Sequence, residues 1–119
     1  MKVSFDFDST LSTPLIQRLA KRHIKYGDEV HITTTRQHED DSLGFTNEYL
    51  YKVANRLGIK KENIHFTKFQ DKVHFLKTFD MHYDDDEHEI DLITRSDLPC
   101  LGILINYKNY YLDNEEVKK

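Results

Sequence analysis

The chain has little of what stabilises small secreted domains or builds membrane spans. Its 119 residues include one cysteine, Cys100, so no disulfide can form within the chain, and no C-x-x-C spacing provides a structural zinc site. No apolar run approaches the roughly 18 residues of a membrane-spanning helix, and the N-terminal sequence MKVSFDFD has carboxylates where a signal peptide is apolar. We therefore expect a soluble cytoplasmic protein without a membrane partner.

The chain also lacks a net positive charge. The chain has 17 Lys and Arg residues against 21 Asp and Glu residues, a formal net charge of −4, so no overall positive field can hold nucleic acid nonspecifically. Tryptophan is absent, but seven Phe and seven Tyr residues provide the apolar burial that disordered chains lack. A chain of this length builds one core, which predicts a single domain over residues 1–119.

Short apolar segments alternate with segments of helical periodicity. The predicted strands are residues 2–7, 30–34, 64–66, 79–83 and 101–106. The predicted helices are residues 14–26, 46–57, 70–78 and 87–94, with a polar loop at 37–44 and a frayed tail from Asn109. Strands joined by helical crossovers predict an α/β fold, a three-layer α/β/α sandwich with a mostly parallel, Rossmann-like sheet of about five strands.

Acidic residues follow two of these strands. Asp6 and Asp8 close the first strand, where alternation projects both to one face, and Asp84, Asp85 and Asp86 follow the fourth. Ligands of parallel sheets bind beyond the carboxyl ends of the strands. Facing carboxylates repel unless a cation lies between them, and oxygen ligands without a nearby cysteine favour Mg²⁺. This pattern favours phosphate chemistry, although an isolated D-x-D more often forms an Asx turn.

Four motifs together resemble those of the haloacid dehalogenase-like phosphatases. VSFDFDSTL is similar to the first motif, an apolar strand followed by D-x-D-x-T, and HITTTR to the second, a strand ending in Thr or Ser. FTKFQDKVHFL supplies a lysine before a helix, as in the third, and MHYDDDEHEI resembles the fourth, an apolar strand ending in an acidic pair. The motifs occur in the family's order, which implies a minimal HAD-type core without a cap domain.

The resemblance implies a role for each matching residue. Asp6 is the expected nucleophile that forms an aspartyl-phosphate, and Asp8 is the expected general acid and base. Thr34 and Lys72 are expected to bind phosphate oxygens, and Thr10 to support the turn.

The same resemblance implies a Mg²⁺ site. Asp6, the backbone carbonyl of Asp8 and Asp85 are the expected ligands, with Asp84 in support; which of Asp84 and Asp85 binds the ion directly stays open.

Two neighbouring side chains leave alternatives. Lys68 lies four residues before Lys72 and is the other candidate for the phosphate-binding lysine. Arg36 either reaches a phosphate or is solvated. His82 and His88 flank the acidic run, but their spacing does not favour a zinc site, and buried or surface histidines are the commoner case.

The chain is too short between its motifs for a cap domain, which bears on the substrate. An uncapped core resembles family members that act on exposed phosphates of macromolecules, or members whose site a partner or second copy covers. The expected substrate is a nucleotide or nucleic-acid terminal phosphate, a phosphoprotein or a small phosphate ester. Two other functions stay open: a small Mg²⁺-dependent nuclease with an acidic site, and a catalytically silent regulatory module.

Overall fold

Five strands form one all-parallel sheet in the structure, a computed structural model that describes residues 1–38 and 46–106. The strands are β1 (Lys2–Phe5), β2 (Glu29–Thr34), β3 (Ile64–Phe66), β4 (Met81–Asp84) and β5 (Leu101–Leu104). Their order in the sheet is β3-β2-β1-β4-β5, and each neighbouring pair is parallel. The helices are α1 (Pro14–Lys25), α2 (Glu48–Leu57) and α3 (Glu87–Arg95). The predicted α/β fold with a Rossmann-like sheet is thereby confirmed.

Several helix ends follow from the sequence. Pro14 stands at the start of α1, where its missing N–H costs no hydrogen bond. Gly58 ends α2 in the left-handed conformation, with φ 77°, and Gly27 follows α1 with φ 90°. In the part of the chain that the structure describes, no helix combines the length and apolar character that a membrane span requires.

Several predicted elements are shorter in the structure; the predicted strand 101–106, for example, ends at Leu104. The first strand ends at Phe5 instead of residue 7, because the chain enters a wide turn in which Leu11 N–H donates to the Asp6 carbonyl and Ser9 adopts φ 60°. The predicted helix 70–78 is only a 3₁₀ turn, Lys72–Phe75. Most of the predicted loop 37–44 and the whole tail from Asn109 lie outside the described residues.

The two faces of the central strands differ in polarity. Alternate residues of β1 and β2 are apolar and belong to the larger buried cluster, which α1 and α2 complete: Val3, Phe5, Val30, Ile32, Ile16, Ala20, Leu50 and Val53. On the opposite face Ser4 pairs in register with His82, and His82 with Gly102. A Cβ at Gly102 would meet Ile93 of α3 at 3.4 Å. α3 therefore covers a face whose central strands carry polar side chains.

Packing of α1 against the sheet gives a first prediction. Ile16 is fully buried, whereas Ile24 on the same helix is 37% exposed. We expect Ile16→Ala to lower the free energy of unfolding by about 3 kcal/mol, because burial is lost and a cavity remains. Ile24→Ala, the matched control, should cost less than about 1 kcal/mol. Urea denaturation of both variants measures the difference; equal losses would contradict this packing.

Candidate functional site

Three carboxylates meet where β1 and β4 end. The two strands are parallel neighbours, and Asp6 N–H, just beyond β1, donates to the Tyr83 carbonyl of β4 at 2.9 Å. One oxygen each of Asp6, Asp84 and Asp85 lies within 4.8 Å of the other two. The topology thus brings together two acidic clusters that are nearly eighty positions apart in the sequence.

A buried lysine lies between two of these carboxylates. Lys72 Nζ donates to Asp6 Oδ1 at 2.7 Å and to Asp84 Oδ2 at 2.6 Å, and the residue is only 2% exposed. Burial disfavours its charge, but the negative charges of Asp6 and Asp84 outweigh burial and raise the pKa of Lys72. Its backbone N–H donates to Glu89 of α3 at 3.0 Å, which anchors the turn. Lys68, by contrast, is exposed.

The ionisation of the two bridged carboxylates differs. Burial, together with the charge of Asp84, raises the pKa of Asp6 to about 8, although Lys72 opposes this shift. Burial also disfavours ionisation of Asp84, but a hydrogen bond from His82 and the charge of Lys72 outweigh it and lower the pKa of Asp84. The single ammonium of Lys72 therefore does not keep both carboxyl groups ionised at neutral pH.

The donor set fits a hard divalent cation. It consists of carboxylate oxygens, and a positive ion among them would favour the ionised form of Asp6 that the buried site disfavours. Asp84 already accepts from Lys72 and His82 at Oδ2 and from Asp86 N–H at Oδ1. Asp85 is half-buried and receives a 3.2 Å contact from the Thr10 hydroxyl, which also lies 3.0 Å from Asp6 Oδ2. Thr10 thus ties the turn after β1 to the acidic edge.

The premise that strand alternation projects Asp6 and Asp8 to one face is not met, and Asp6 is buried whereas Asp8 is exposed. Because β1 ends before either residue, strand alternation does not apply to them. The Asp8 side chain is 55% exposed, and Arg36 binds it with two hydrogen bonds, Nη2 to Oδ1 at 2.7 Å and Nε to Oδ2 at 2.9 Å. Arg36 also donates to the Thr46 carbonyl at 3.1 Å and lies over the Phe7 ring. Arg36 is therefore held by specific contacts although 29% of its side chain is exposed.

Thr34 is the last residue of β2 and is fully buried. β2 pairs directly with β1, so Thr34 lies at the same carboxyl edge as Asp6. Its Oγ1 accepts from Arg36 N–H at 3.3 Å. That Thr34 binds a phosphate oxygen stays a prediction.

Sequence reasoning missed a polar network beneath the site. His82, Ser4 and Thr33 are fully buried and hydrogen-bonded in series to Asp84. Burial lowers the pKa of His82. The sequence did show a polar residue within each of three predicted strands. Strand order and register were needed to see that these three residues touch.

The raised pKa of Asp6 predicts how stability depends on pH. In the native state this carboxyl keeps its proton up to about pH 8, whereas its ordinary pKa is 3.8, so the native state binds more protons between these values. Its contribution to the free energy of unfolding therefore falls as pH rises through that window. Urea denaturation in EDTA measures this slope. Asp6→Asn should flatten it and be the more stable chain at pH 8; an unchanged slope would contradict the assignment.

Comparison with known proteins adds no family assignment. A scan against protein-family models and a search of curated proteins find no match for the chain.

Proposed function

We propose that the chain is a Mg²⁺-dependent phosphomonoesterase, similar to haloacid dehalogenase-like phosphatases, that works through an aspartyl-phosphate on Asp6. The observation that carries the proposal is the convergence of Lys72 Nζ and the carboxylates of Asp84 and Asp85 on Asp6 at the carboxyl edge of the sheet. Phosphoryl transfer depends mainly on alignment and on neutralising the charge of the transferred group, and this arrangement provides for both.

In the first step an oxygen of Asp6 attacks phosphorus and the bond from phosphorus to the ester oxygen breaks. Asp8 gives its proton to the departing oxygen, which leaves as an alcohol. Asp8 is exposed at the rim, where it can meet the leaving group, and a cation bound beside the buried Asp6 would favour the ionised form that the attack requires. Asp8 must leave the two hydrogen bonds of Arg36 to reach the leaving group.

In the second step Asp8 takes a proton from water, and the water oxygen attacks phosphorus. The bond between phosphorus and Asp6 breaks, which releases inorganic phosphate and restores both carboxyl groups to their starting forms. Lys72 balances negative charge on the transferred group in both steps, and Thr34 is the second proposed phosphate-binding residue.

Asp6, Asp85 and the Asp8 carbonyl would hold Mg²⁺, with Asp84 in support. A bound ion would neutralise the oxygens of the phosphoryl group. Of the two neighbours, Asp85 is the proposed direct ligand, because Asp84 already receives hydrogen bonds from Lys72, His82 and Asp86 whereas Asp85 receives a longer contact from Thr10.

The proposed substrate is a phosphorylated small molecule or the phosphorylated end of a macromolecule. The exposure of Asp8 supports this range, since its side chain is accessible beside the buried nucleophile. The candidate classes are a nucleotide or nucleic-acid terminal phosphate, a phosphoprotein and a small phosphate ester, and a partner or second copy of the chain would cover the site from water.

A substrate screen with Mg²⁺ tests the proposal. The panel contains p-nitrophenyl phosphate, nucleoside monophosphates, oligonucleotides with terminal phosphates, phosphopeptides and sugar phosphates. We expect Asp6→Asn to lower kcat by about 10³-fold or more and Asp8→Asn by about 10²-fold or more. Glu87→Gln, an exposed acid at the start of α3, is the matched control and should keep the native rate.

The outcomes of the same screen separate the alternatives. Trapping of a beryllofluoride adduct on the native chain, lost in Asp6→Asn, supports the covalent route. Cleavage of a phosphodiester that does not need Asp6 as nucleophile would indicate a nuclease. Mg²⁺ binding without hydrolysis of any phosphomonoester would indicate a regulatory module and would contradict the proposal.

The two candidate lysines give a separate prediction. Lys72→Met leaves Asp6 and Asp84 buried without their shared cation, so we expect a loss of about 3 kcal/mol in unfolding free energy and loss of hydrolysis. Lys68→Met removes an exposed charge and should change neither quantity by much. The hydrolysis rate of each variant is divided by its folded fraction, which circular dichroism measures. Loss of activity in Lys68→Met alone would reverse the assignment.

A further inference from the structure

A line of buried polar side chains crosses three strands beneath the acidic edge. Thr33 of β2, Ser4 of β1 and His82 of β4 are each fully buried. Ser4 Oγ lies 2.7 Å from Thr33 Oγ1 and 2.9 Å from His82 Nδ1. His82 Nε2 lies 2.8 Å from Asp84 Oδ2, the oxygen that Lys72 Nζ also contacts at 2.6 Å. The line therefore ends on a carboxylate of the candidate site.

The direction of each hydrogen bond follows from the last one. An ionised Asp84 only accepts, so His82 Nε2 donates to it. Lys72 already brings a positive charge to the same oxygen, which disfavours a second cation there and leaves His82 neutral. Nδ1 of a neutral imidazole with its proton on Nε2 is an acceptor, so the Ser4 hydroxyl donates to it. Ser4 Oγ then accepts from the Thr33 hydroxyl.

We propose that His82 is a positioning residue for the site, and that Ser4 and Thr33 fix the ring orientation in which it holds Asp84. Neither ring nitrogen contacts solvent, since His82 is fully buried, and each has a defined partner. Because Asp84 shares Lys72 with Asp6, a fixed Asp84 carboxylate fixes the ammonium between them. The consequence for catalysis rests on the proposed phosphatase function; the hydrogen-bond directions do not.

Removing one side chain of this line leaves a buried polar group without its hydrogen-bond partner, which lowers stability. Each of the three polar groups is withdrawn from water, and a buried group without its partner costs about 1–3 kcal/mol. Groups that orient a site from behind typically change metal affinity or activity by about 10- to 100-fold when removed. We therefore expect the loss of His82 to change Mg²⁺ affinity and activity, even though His82 acts only through Asp84.

Two His82 variants test this role. His82→Leu removes the donor to Asp84, whereas the terminal amide nitrogen of Gln in His82→Gln can donate from a place near Nε2. We expect His82→Leu to weaken Mg²⁺ affinity, measured by calorimetry, and to lower kcat, each by about 10-fold or more, with KM little changed. His82→Gln should restore most of both. Equal losses in the two variants would indicate a structural role and overturn the inference.

His31→Leu is the matched control. His31 is a buried histidine of β2 that contacts Glu29 and His65, and the register pairs it with Ser4, near the middle of β1. Its loss should lower stability without changing Mg²⁺ affinity. If His31→Leu weakens Mg²⁺ binding as much as His82→Leu does, the effect is general destabilisation and the inference fails.

Nuclear magnetic resonance tests the hydrogen-bond directions without activity. Long-range ¹H–¹⁵N spectra, assigned by the signal lost in His82→Gln, should show a proton on Nε2 and an unprotonated Nδ1 in His82. Ser4→Ala should shift the Nδ1 signal, and Thr33→Val should shift it less. A protonated Nδ1, or a spectrum that Ser4→Ala leaves unchanged, would overturn the proposed chain.

The failures of the two proposals are distinguishable. A native chain that hydrolyses no phosphomonoester, but in which His82 governs Mg²⁺ affinity and has the expected tautomer, contradicts the phosphatase function alone. An active native chain that Asp6→Asn inactivates, with native Mg²⁺ affinity and kcat in His82→Leu, contradicts the positioning role alone.

Discussion

The buried ammonium of Lys72, shared by Asp6 and Asp84, is the interaction on which the rest of the site depends. Two carboxylates from neighbouring strand ends can be withdrawn from water only if a cation and hydrogen-bond donors satisfy them. Lys72 provides the charge, and Glu89 holds the turn that carries it. Thr10 connects Asp6 to Asp85 from the other side. Each contact restricts where the next residue can lie, so the acidic edge is preorganised before any ligand arrives.

One face of the sheet contributes most of the apolar core, and the other face carries the side chains that position the candidate site. The face toward α1 and α2 is apolar and contains most of the larger core, whereas the central strands of the opposite face carry buried hydroxyl, imidazole and carboxylate groups. Apolar burial compensates for a polar layer that adds little net stability of its own. The raised pKa of Asp6 shows the cost of this arrangement at neutral pH. A cation in the site would remove that cost, which couples ligand binding to stability.

Much of the fold was predictable from local patterns. Strand positions followed from short apolar runs, and the helix ends at Gly27 and Gly58 followed from the conformations that glycine adopts easily. The end of β1 was predicted wrongly because the turn after Phe5 depends on backbone hydrogen bonds and on Ser9 in a left-handed conformation, which non-glycine residues seldom adopt. The segment around Lys72 forms only a 3₁₀ turn.

The sequence by itself determined the parallel α/β architecture and the edge at which Asp6, Asp84 and Asp85 gather, because apolar periodicity and strand connection are local properties and parallel strands end at one edge. Only the tertiary structure decided that Lys72 and not Lys68 reaches Asp6, that Asp8 binds Arg36, and that His82 lies behind Asp84. These contacts join residues that are distant in the chain, and they depend on strand order, register and burial, which no short segment encodes.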